Sequence, residues 1–496
     1  MTPAKKSAVG SLFAMPLSDG QFGACQVVGI RAGKAIVATL DWIGRKPPTK
    51  AALAKAKILR ADHHAWRGEP EVLVVDGDVP PSFVFVGEAP ARSCDEECGS
   101  GGWSAVPLQI LLNWRWQYLI PAKAKRAYSA LASGQIDVDL GAGPSTLAKA
   151  SRQLALAPSS RNQPESIYVA LPPKPDFSAL DRFNKLTEIA VEGPAPGLLE
   201  YLSTRPIVGK LHWTNHGCRK IDLGKSWLRE LTVGWTGTDL TIALPEQFDT
   251  LSIVANGANH GGTLTVRCAS SFELELISAQ PDKIGGCERV TGLVVLAVPR
   301  LKLAPLARQL PAIQTLRIGS NSPTKVVGIK ALATFQHLEH LTLYNVYDLE
   351  PAALPTKSLR NVSIDGTRAS IVPSLKARLG GVSRVEIRGA RTDRWISENA
   401  DNPFRRWQED GAPAALTRDA VKAWKQALGA IDALGPRASA SAILRRFITI
   451  FNQRESDIDT IRAEEIADAF DTLVAHCGSR IDARKALVLF DSWRTF

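Results

Sequence analysis

The chain has 496 residues, of which 45% are hydrophobic and 22% are charged. This balance excludes an intrinsically disordered chain, and the length exceeds the roughly 250–300 residues at which a single core stops growing, so we expect several domains. The net charge of +11 is spread along the chain and is not gathered into basic runs, which favours a protein partner over nucleic acid.

The sequence predicts a cytoplasmic location. The apolar stretch after Lys5-Lys6 is short and is broken by Gly10, Pro16 and Asp19, so it does not match a secretory signal peptide. The chain also lacks an apolar run of the roughly 20 residues that a membrane helix needs. Its seven cysteines are odd in number and scattered, which is atypical of a disulfide framework and predicts reduced thiols.

Residues 8–118 are predicted to form a small β-rich barrel or sheet. Short apolar runs alternate with turn signals, such as Asp19-Gly20 and the glycine at Gly33. Glycine readily adopts the positive φ of tight hairpin turns, so these signals favour neighbouring antiparallel strands. Two further strands are expected at residues 72–75 and 83–86.

This module resembles a known family. The stretch "GSLFAMPLSDGQFGACQVVG", together with the later "HHAW" and "FVFVGEAP", is similar to the immunity-protein family numbered 26. Those are small β-rich bacterial proteins linked to polymorphic-toxin systems, in which a producer cell protects itself from its own secreted toxin. The resemblance implies that the module binds a toxin, although domains of this kind also serve as general binding modules.

Two groups of polar residues in this module contain side chains that can bind metal ions. Adjacent His63 and His64 would point to opposite faces of a strand, so they would rarely share one ion. Cys94 and Cys98 flank three carboxylates, but no second pair of Cys or His stands at zinc-binding spacing. A polar loop anchored by Trp66 and an acidic loop are the favoured interpretations, and we expect no metal.

Residues 119–178 are predicted to be a helical connector followed by a linker. Stretches rich in alanine and lysine at 123–132 and 145–156 favour helices, and Gly141 and Gly143 separate them. Prolines and serines over residues 157–178 are typical of a linker. We therefore place a domain boundary here.

Residues 179–400 repeat a short signature of the form apolar-x-x-apolar-x-apolar. Its copies begin at Leu186, Val208, Leu228, Phe248, Ser271, Leu293, Ile313, Leu338, Leu359 and Val382, so successive copies are 20 to 25 residues apart. This period falls within the roughly 20–29 residues of leucine-rich repeats. We therefore expect a solenoid with a parallel sheet, in which each repeat buries its apolar side against its neighbours.

The alternation of side chains along a strand predicts which residues lie on the concave face of that sheet. The first half of the face is mostly carboxylates, such as Glu188 and Glu230, and the second half has more arginine, histidine and tyrosine. We expect a protein partner to contact Arg317, His340, Tyr344, Asp365, Arg384, Glu386 and Arg388, with Tyr347 as a further candidate. The alternative is plain solvation, because an open sheet face must be polar.

Residues 403–496 show helical periodicity and are predicted to form a compact helical bundle. Asp457 and Asp459 suggest a calcium loop, but the glycine and glutamate that such a loop requires are missing. His476 and Cys477 suggest a base and a nucleophile, but as chain neighbours they cannot easily face each other. We expect neither a metal nor a catalytic pair here.

The chain is thus predicted to be a multidomain α+β protein without cofactors, and a non-enzymatic bacterial protein-binding protein. From the resemblance, its expected partner is a cognate toxin that it neutralises. One alternative is an effector ligase, but such ligases carry Cys-x-Asp in the helical domain, and Cys477 is followed by Gly478 and Ser479. The other is a nucleic-acid-associated protein, which rests on net charge alone.

Overall fold

The computed structural model of the chain describes residues 8–17, 21–61, 69–77, 79–80, 82–94, 99–103, 105–129, 137–139, 144–146, 166–170, 176–183, 186–255, 261–298, 300–399, 402–407, 410–435 and 438–496. They belong to two compact units. The first unit lies within residues 1–294 and 309–313, and the second within residues 295–308 and 314–496.

Several predicted features lie outside the described residues. They are the turn at 18–20, the pair His63 and His64 with Trp66, the acidic loop at 95–98, the glycines at 141–143, most of the helix expected at 145–156 and most of the linker expected at 157–178.

The first unit begins with a six-stranded sheet. Its strands are Ser11–Pro16, Phe22–Arg31, Lys34–Gly44, Val72–Asp76, Val84–Glu88 and Gly99–Gly102. Val84–Glu88 forms one edge, the first three strands follow in chain order, and Val72–Asp76 and Gly99–Gly102 complete the sheet. The last two are parallel and the other neighbours are antiparallel.

Local sequence explains the hairpin at the centre of this sheet. Arg31 pairs with Lys34, and the two residues between them, Ala32 and Gly33, have φ of 50° and 79°. Two consecutive positive φ angles match the right-handed twist of the flanking strands. Helix Ala105–Trp114 covers one side of the sheet, and its Ile110 is completely buried among the sheet's aliphatic and aromatic side chains.

Short elements connect this sheet to the repeats. They are helix Lys50–Ala54, strands Arg60–Ala61 and Glu69–Pro70, the π-helix Arg115–Leu119, helix Ala122–Ser129, strands Asp137–Asp139 and Pro144–Thr146, and the 3₁₀ helix Phe177–Arg182. The start of the helix expected at 145–156 is instead a strand, because Pro144–Thr146 pairs with Asp137–Asp139.

A parallel sheet follows in the first unit. Its strands are Ser166–Ala170, Glu188–Glu192, Lys210–Thr214, Glu230–Trp235, Thr250–Ala255, Phe272–Ile277 and Val290–Leu296, in that spatial order. Pairing in register aligns the second apolar residue of each signature into a row running through Ile189, Leu211, Leu231, Leu251 and Leu274. Every member of this row is at most 1% exposed.

The strand Ser166–Ala170 lies in the stretch predicted to be linker. It pairs in register with Glu188–Glu192, Ile167 against Ile189 and Val169 against Val191. Its signature was hidden because Pro164 stands where the other copies have their first apolar residue, one repeat before Leu186. The parallel sheet therefore begins one repeat earlier than the pattern predicted.

The return segments of the first unit are also strands. Lys220–Asp222, Leu240–Ala243, Thr263–Arg267 and Lys283–Gly285 form a second parallel sheet. Its inward residues include Ile242, Leu264 and Val266, and these three are fully buried. β-Branched residues, such as Thr241 and Ile242 in strand Leu240–Ala243, favour this extended return.

The second unit continues with strands that pair in parallel. They are Thr315–Val327, His340–Val346, Asn361–Asp365 and Arg384–Arg388, and the short strand Arg300–Lys302 pairs with the end of the first. Its returns are helical: Leu303–Gln309, Ile329–Thr334, Pro351–Ala353, Ala369–Ile371, Val372–Arg378 and Asp393–Asn399. These segments are rich in Ala, Leu, Lys and Arg, which favour helix over strand.

Four longer helices end the second unit. They are Ala414–Asp432, Ser441–Asn452, Thr460–Cys477 and Ala483–Trp493, with one 3₁₀ turn at Glu455–Asp457 and another at Gly478–Arg480. They share one apolar core with Phe404 and Trp407. The carboxylates of Asp459 and Asp482 cap the third and fourth helices by accepting backbone N–H bonds.

The chain is thus a multidomain α+β protein with long parallel sheets, an arrangement compatible with the predicted repeat solenoid. Within the described residues, none of the helices combines the length and apolar character needed to span a membrane.

Candidate functional site

The seven residues predicted to contact a partner lie on one face of the second-unit sheet. Pairing in register sets the outward side chains into three rows: Thr315, His340, Asn361 and Arg384; Arg317, Thr342, Ser363 and Glu386; and Gly319, Tyr344, Asp365 and Arg388. We call this surface the open face. Because adjacent strands are about 4.8 Å apart, each side chain lies beside its row neighbours.

Buried aliphatic residues support the open face from behind. Leu316, Leu341 and Val362 alternate with the outward residues along their strands and are at most 2% exposed. The third positions, Ile318, Leu343 and Ile364, are fully buried. Outward side chains on the first three strands of the face therefore stand on a packed layer, whereas Val385 behind the edge strand Arg384–Arg388 is 38% exposed.

Asp365 anchors a small ionic network on this face. Arg388 donates from Nε to Asp365 Oδ2 at 2.8 Å and from Nη1 to Glu386 Oε1 at 3.3 Å. These groups are partly exposed, so each ion pair contributes at most about 1 kcal/mol to stability. Their main effect is to orient the Arg388 guanidinium across the strand.

Arg317 and Arg384 are exposed at opposite sides of the open face. Within the described part of the chain, neither guanidinium has an ion-pair or hydrogen-bond partner. The planar guanidinium presents donors that match a carboxylate in two parallel hydrogen bonds. The open face thus offers two cationic groups to an acidic ligand surface.

His340 has a defined tautomer in the first row. The Asn361 amide nitrogen lies 2.9 Å from His340 Nδ1. An amide NH₂ only donates, so Nδ1 accepts and the proton is on Nε2. Burial of the ring lowers the pKa of His340, the positive charge of Arg360 lowers it further, and Glu339 opposes the shift.

We expect stability to fall with pH because of His340. The pKa of His340 in the folded chain is below the ordinary value of about 6.5, so the unfolded chain binds the proton first as pH falls. The contribution of neutral His340 to the free energy of unfolding is therefore complete above about pH 6.5 and is lost as pH falls through the folded pKa. A His340→Gln variant, compared by urea unfolding at pH 7.5 and 5.0, is expected to lose less stability than the wild type. The exposed His337→Gln serves as the control, and equal losses in wild type and His340→Gln would contradict the assignment.

Tyr344 is already in contact with another part of the second unit. Arg406 donates from Nη1 to the Tyr344 hydroxyl, and its guanidinium carbon lies 6.0 Å from the ring centroid. Arg406 sits between Phe404 and Trp407, which are buried in the core of the C-terminal helices. The C-terminal region therefore covers one corner of the open face.

The expectation for Tyr347 was wrong. This side chain is only 4% exposed, its hydroxyl donates to Asn345 Oδ1 at 3.1 Å, and its ring packs 6.4 Å from that of Trp395. Strand alternation accounts for this, because Tyr347 is three residues from the outward Tyr344 and so falls on the same side as the buried Leu341 and Leu343. Tyr347 is consequently a core residue.

The open face of the first-unit sheet satisfies much of its own charge. His212 Nε2 lies 3.0 Å from Glu188, and Lys210 Nζ lies 2.7 Å from Glu230. The Ser252 hydroxyl donates to Glu275 at 2.5 Å. Its predicted carboxylates are present, but cross-strand neighbours occupy several of them.

His476 and Cys477 do not form a catalytic pair in this arrangement. His476 Nε2 lies 2.7 Å from Asp432 Oδ1, whereas Cys477 is 1% exposed. Burial raises the pKa of the Cys477 thiol, which opposes formation of the reactive thiolate. Across the residues that the structure describes, no group of three or more His, Cys, Asp or Glu is placed to hold a metal ion.

Comparisons with known proteins do not assign a family or a function to this chain. No family model matches the chain, and no curated protein matches it. Among solved structures, an internalin from Listeria monocytogenes is 10% identical, and the match covers 48% of this chain and 78% of that one with a TM-score of 0.23. A TM-score this low carries no argument about function, and nothing in these comparisons supports the resemblance to immunity proteins.

Proposed function

We propose that this chain is a non-enzymatic protein-binding protein and that it holds a folded partner against the open face of the second unit. The observation that carries the proposal is the row pattern itself, in which Arg317 and Arg384 stand exposed and unpaired among the described residues. Pairing in register fixes the backbone of these strands, which suits a partner that is itself folded, because only side chains such as Arg317 and Arg384 have to be ordered on binding.

The charges of the open face favour an acidic partner surface. Arg317 and Arg384 are available to carboxylates, while Asp365 and Glu386 are engaged by Arg388. Complementary charge speeds encounter and suppresses wrong partners. The resemblance of residues 8–118 to immunity proteins makes a bacterial toxin our preferred partner, and neutralising that toxin our preferred role.

Charge reversal on the open face tests this proposal. The double variant Arg317→Glu with Arg384→Glu is expected to weaken binding of the co-purifying partner at least tenfold, or about 1.4 kcal/mol, because attraction becomes repulsion at two points. Isothermal titration calorimetry at low and physiological salt measures the change. The affinity of the double variant should also depend less on salt concentration than that of the wild type, since fewer attractive charge contacts remain.

A matched control carries the same change of net charge elsewhere in the second unit. Arg445→Glu with Arg446→Glu alters two exposed residues of helix Ser441–Asn452 and should leave the affinity within twofold of the wild type. If the double variant of the open face and this control bind equally well, the partner contacts another surface, and the proposed interface is incorrect.

A further inference from the structure

A cavity of 870 Å³ lies within the first unit. One wall is the helical stretch from Ala105–Trp114 through Arg115–Leu119, and the other is formed by the loops that precede three strands of the parallel sheet. Small-molecule sites typically enclose roughly 300–1,000 Å³, so this cavity has the size of a ligand site. None of the residues that line it belongs to the open face.

The walls of the cavity are mainly apolar. Leu108, Leu112 and Trp116 line it from the helical side, and Ile207 and Trp227 line it from the repeats. Leu108 is 49% exposed and Trp227 is 40% exposed, although both are large apolar side chains. Apolar area left in contact with water inside a recess favours an apolar ligand, because covering it stabilises the complex.

The helix changes its winding where it meets the cavity. Arg115–Leu119 is a π-helix that continues directly from the α-helix Ala105–Trp114. The wider turn brings Arg115, Trp116 and Leu119 to the cavity together. The π-turn ends the helix before the extended Ile120, a usual place for such turns, so it positions these three side chains but is not itself evidence of binding.

One end of the cavity is cationic. Arg115 is 7% exposed, donates to Gln247 Oε1 at 3.1 Å and forms an ion pair with Asp249 at 3.2 Å. Arg229 also bonds to Asp249, so one carboxylate serves two guanidinium groups. Within the described residues, the buried Nε of Arg229 has no acceptor.

The other charges of the lining are mixed in sign. Lys210 forms an ion pair with Glu230, whereas the contact of Glu188 with His212 balances the carboxylate only when the imidazole is protonated. The exposed rim carries Lys225 and Glu246, which are opposite in sign. The cationic end near Arg229 is therefore the part of the cavity that favours an anionic group.

We propose that this cavity binds a free amphiphile, with its apolar chain against Leu108, Trp116 and Trp227 and its anionic head group at Arg229 and Lys225. A carboxylate and a phosphate head group share the required chemistry. The chain length is set by the cavity volume, and the head group is held by donors that are already in place. This site is independent of the protein-binding role proposed above.

Titration calorimetry with dodecanoate, kept below its critical micelle concentration, tests the site. We expect saturable binding of one molecule per chain. Dodecanol and dodecyltrimethylammonium have the same apolar chain with a neutral or cationic head, and they should bind about tenfold or more weakly because a buried guanidinium donor would lose its anionic acceptor. Dodecyl phosphate should bind about as well as dodecanoate.

Two variants at the rim locate the bound molecule. Leu108→Glu should weaken dodecanoate binding about tenfold, and Lys225→Glu about threefold, because the first removes apolar contact and both add repulsion. Both positions are exposed, so the fold should be retained. Ile30→Glu and Lys220→Glu change exposed residues of the same types in the same unit and should bind dodecanoate like the wild type.

Four outcomes would overturn the proposal. They are absence of saturable binding, equal binding of the anionic, neutral and cationic head groups, unchanged binding in Leu108→Glu and Lys225→Glu, and binding only to vesicles containing phosphatidylglycerol. The last result would identify a membrane surface as the ligand instead of a free amphiphile. None of them bears on the open face, so failure here leaves the protein-binding proposal intact.

Discussion

Replacing Asp249 with alanine is expected to destabilise the first unit by about 3–5 kcal/mol. Its carboxylate is 17% exposed and pairs with both Arg115 and Arg229, whose side chains are 8% and 20% exposed. Removing it leaves two largely desolvated positive charges close together. Leaving these charges buried without their carboxylate lowers the free energy of unfolding by more than the intact ion pairs contribute to it.

Urea unfolding followed by circular dichroism and tryptophan fluorescence measures this loss. Asp249→Asn should cost less than Asp249→Ala, because the amide oxygen still accepts one hydrogen bond. Asp181→Ala is the matched control, since Asp181 also pairs with an arginine, Arg205, but is 61% exposed. That control should lose at most about 1 kcal/mol, and an equal loss in both alanine variants would contradict the role of burial.

Gly286→Ala is expected to cost about 3–5 kcal/mol, the second large effect. Gly286 has a φ of 71°, and a Cβ placed there would lie 2.0 Å from the carbonyl oxygen of Val266. That carbonyl belongs to strand Thr263–Arg267 of the return sheet, which pairs with the neighbouring strand Lys283–Gly285. The oxygen therefore cannot move aside without disturbing the pairing of two repeats.

A second glycine separates the backbone strain of a positive φ from the steric clash with Val266. Gly217 has a similar φ of 67°, but a Cβ there would meet no atom within 4 Å. Gly217→Ala should therefore cost only the backbone strain, about 1–2 kcal/mol. If Gly217→Ala and Gly286→Ala lose the same stability in thermal and urea unfolding, the close approach to Val266 does not matter in solution.

The strands of the repeats could be predicted because two simple rules act together. The repeat period fixes where each strand begins, and the alternation of side chains fixes which residues face out. Arg317, Asp365 and Arg388 accordingly lie on the surface where the pattern put them. The prediction does not extend to binding, which depends on a partner and remains a proposal.

Two predictions failed for different reasons. An exposed Tyr347 did not follow from the alternation, which places residue 347 on the buried side with Leu341 and Leu343. Pro164 stands at the first apolar position of the signature, so matching that signature misses the strand Ser166–Ala170.

The cavity could not be predicted from the sequence. Its walls bring Leu108 and Trp116 beside Trp227, although more than a hundred residues separate them along the chain. Such a site has no local motif, because its chemistry comes from tertiary packing of a helix against loops.

The contact between Arg406 and Tyr344 has a thermodynamic consequence for any partner. A tethered group occupies its site at a high effective concentration, so Arg406 acts as a built-in competitor for the Tyr344 corner of the open face. A partner that needs this corner binds only the fraction of molecules in which the contact is open, and its apparent affinity is reduced by that fraction. If the proposed partner uses this corner, the segment that carries Arg406 therefore lowers the partner's affinity without contacting the partner.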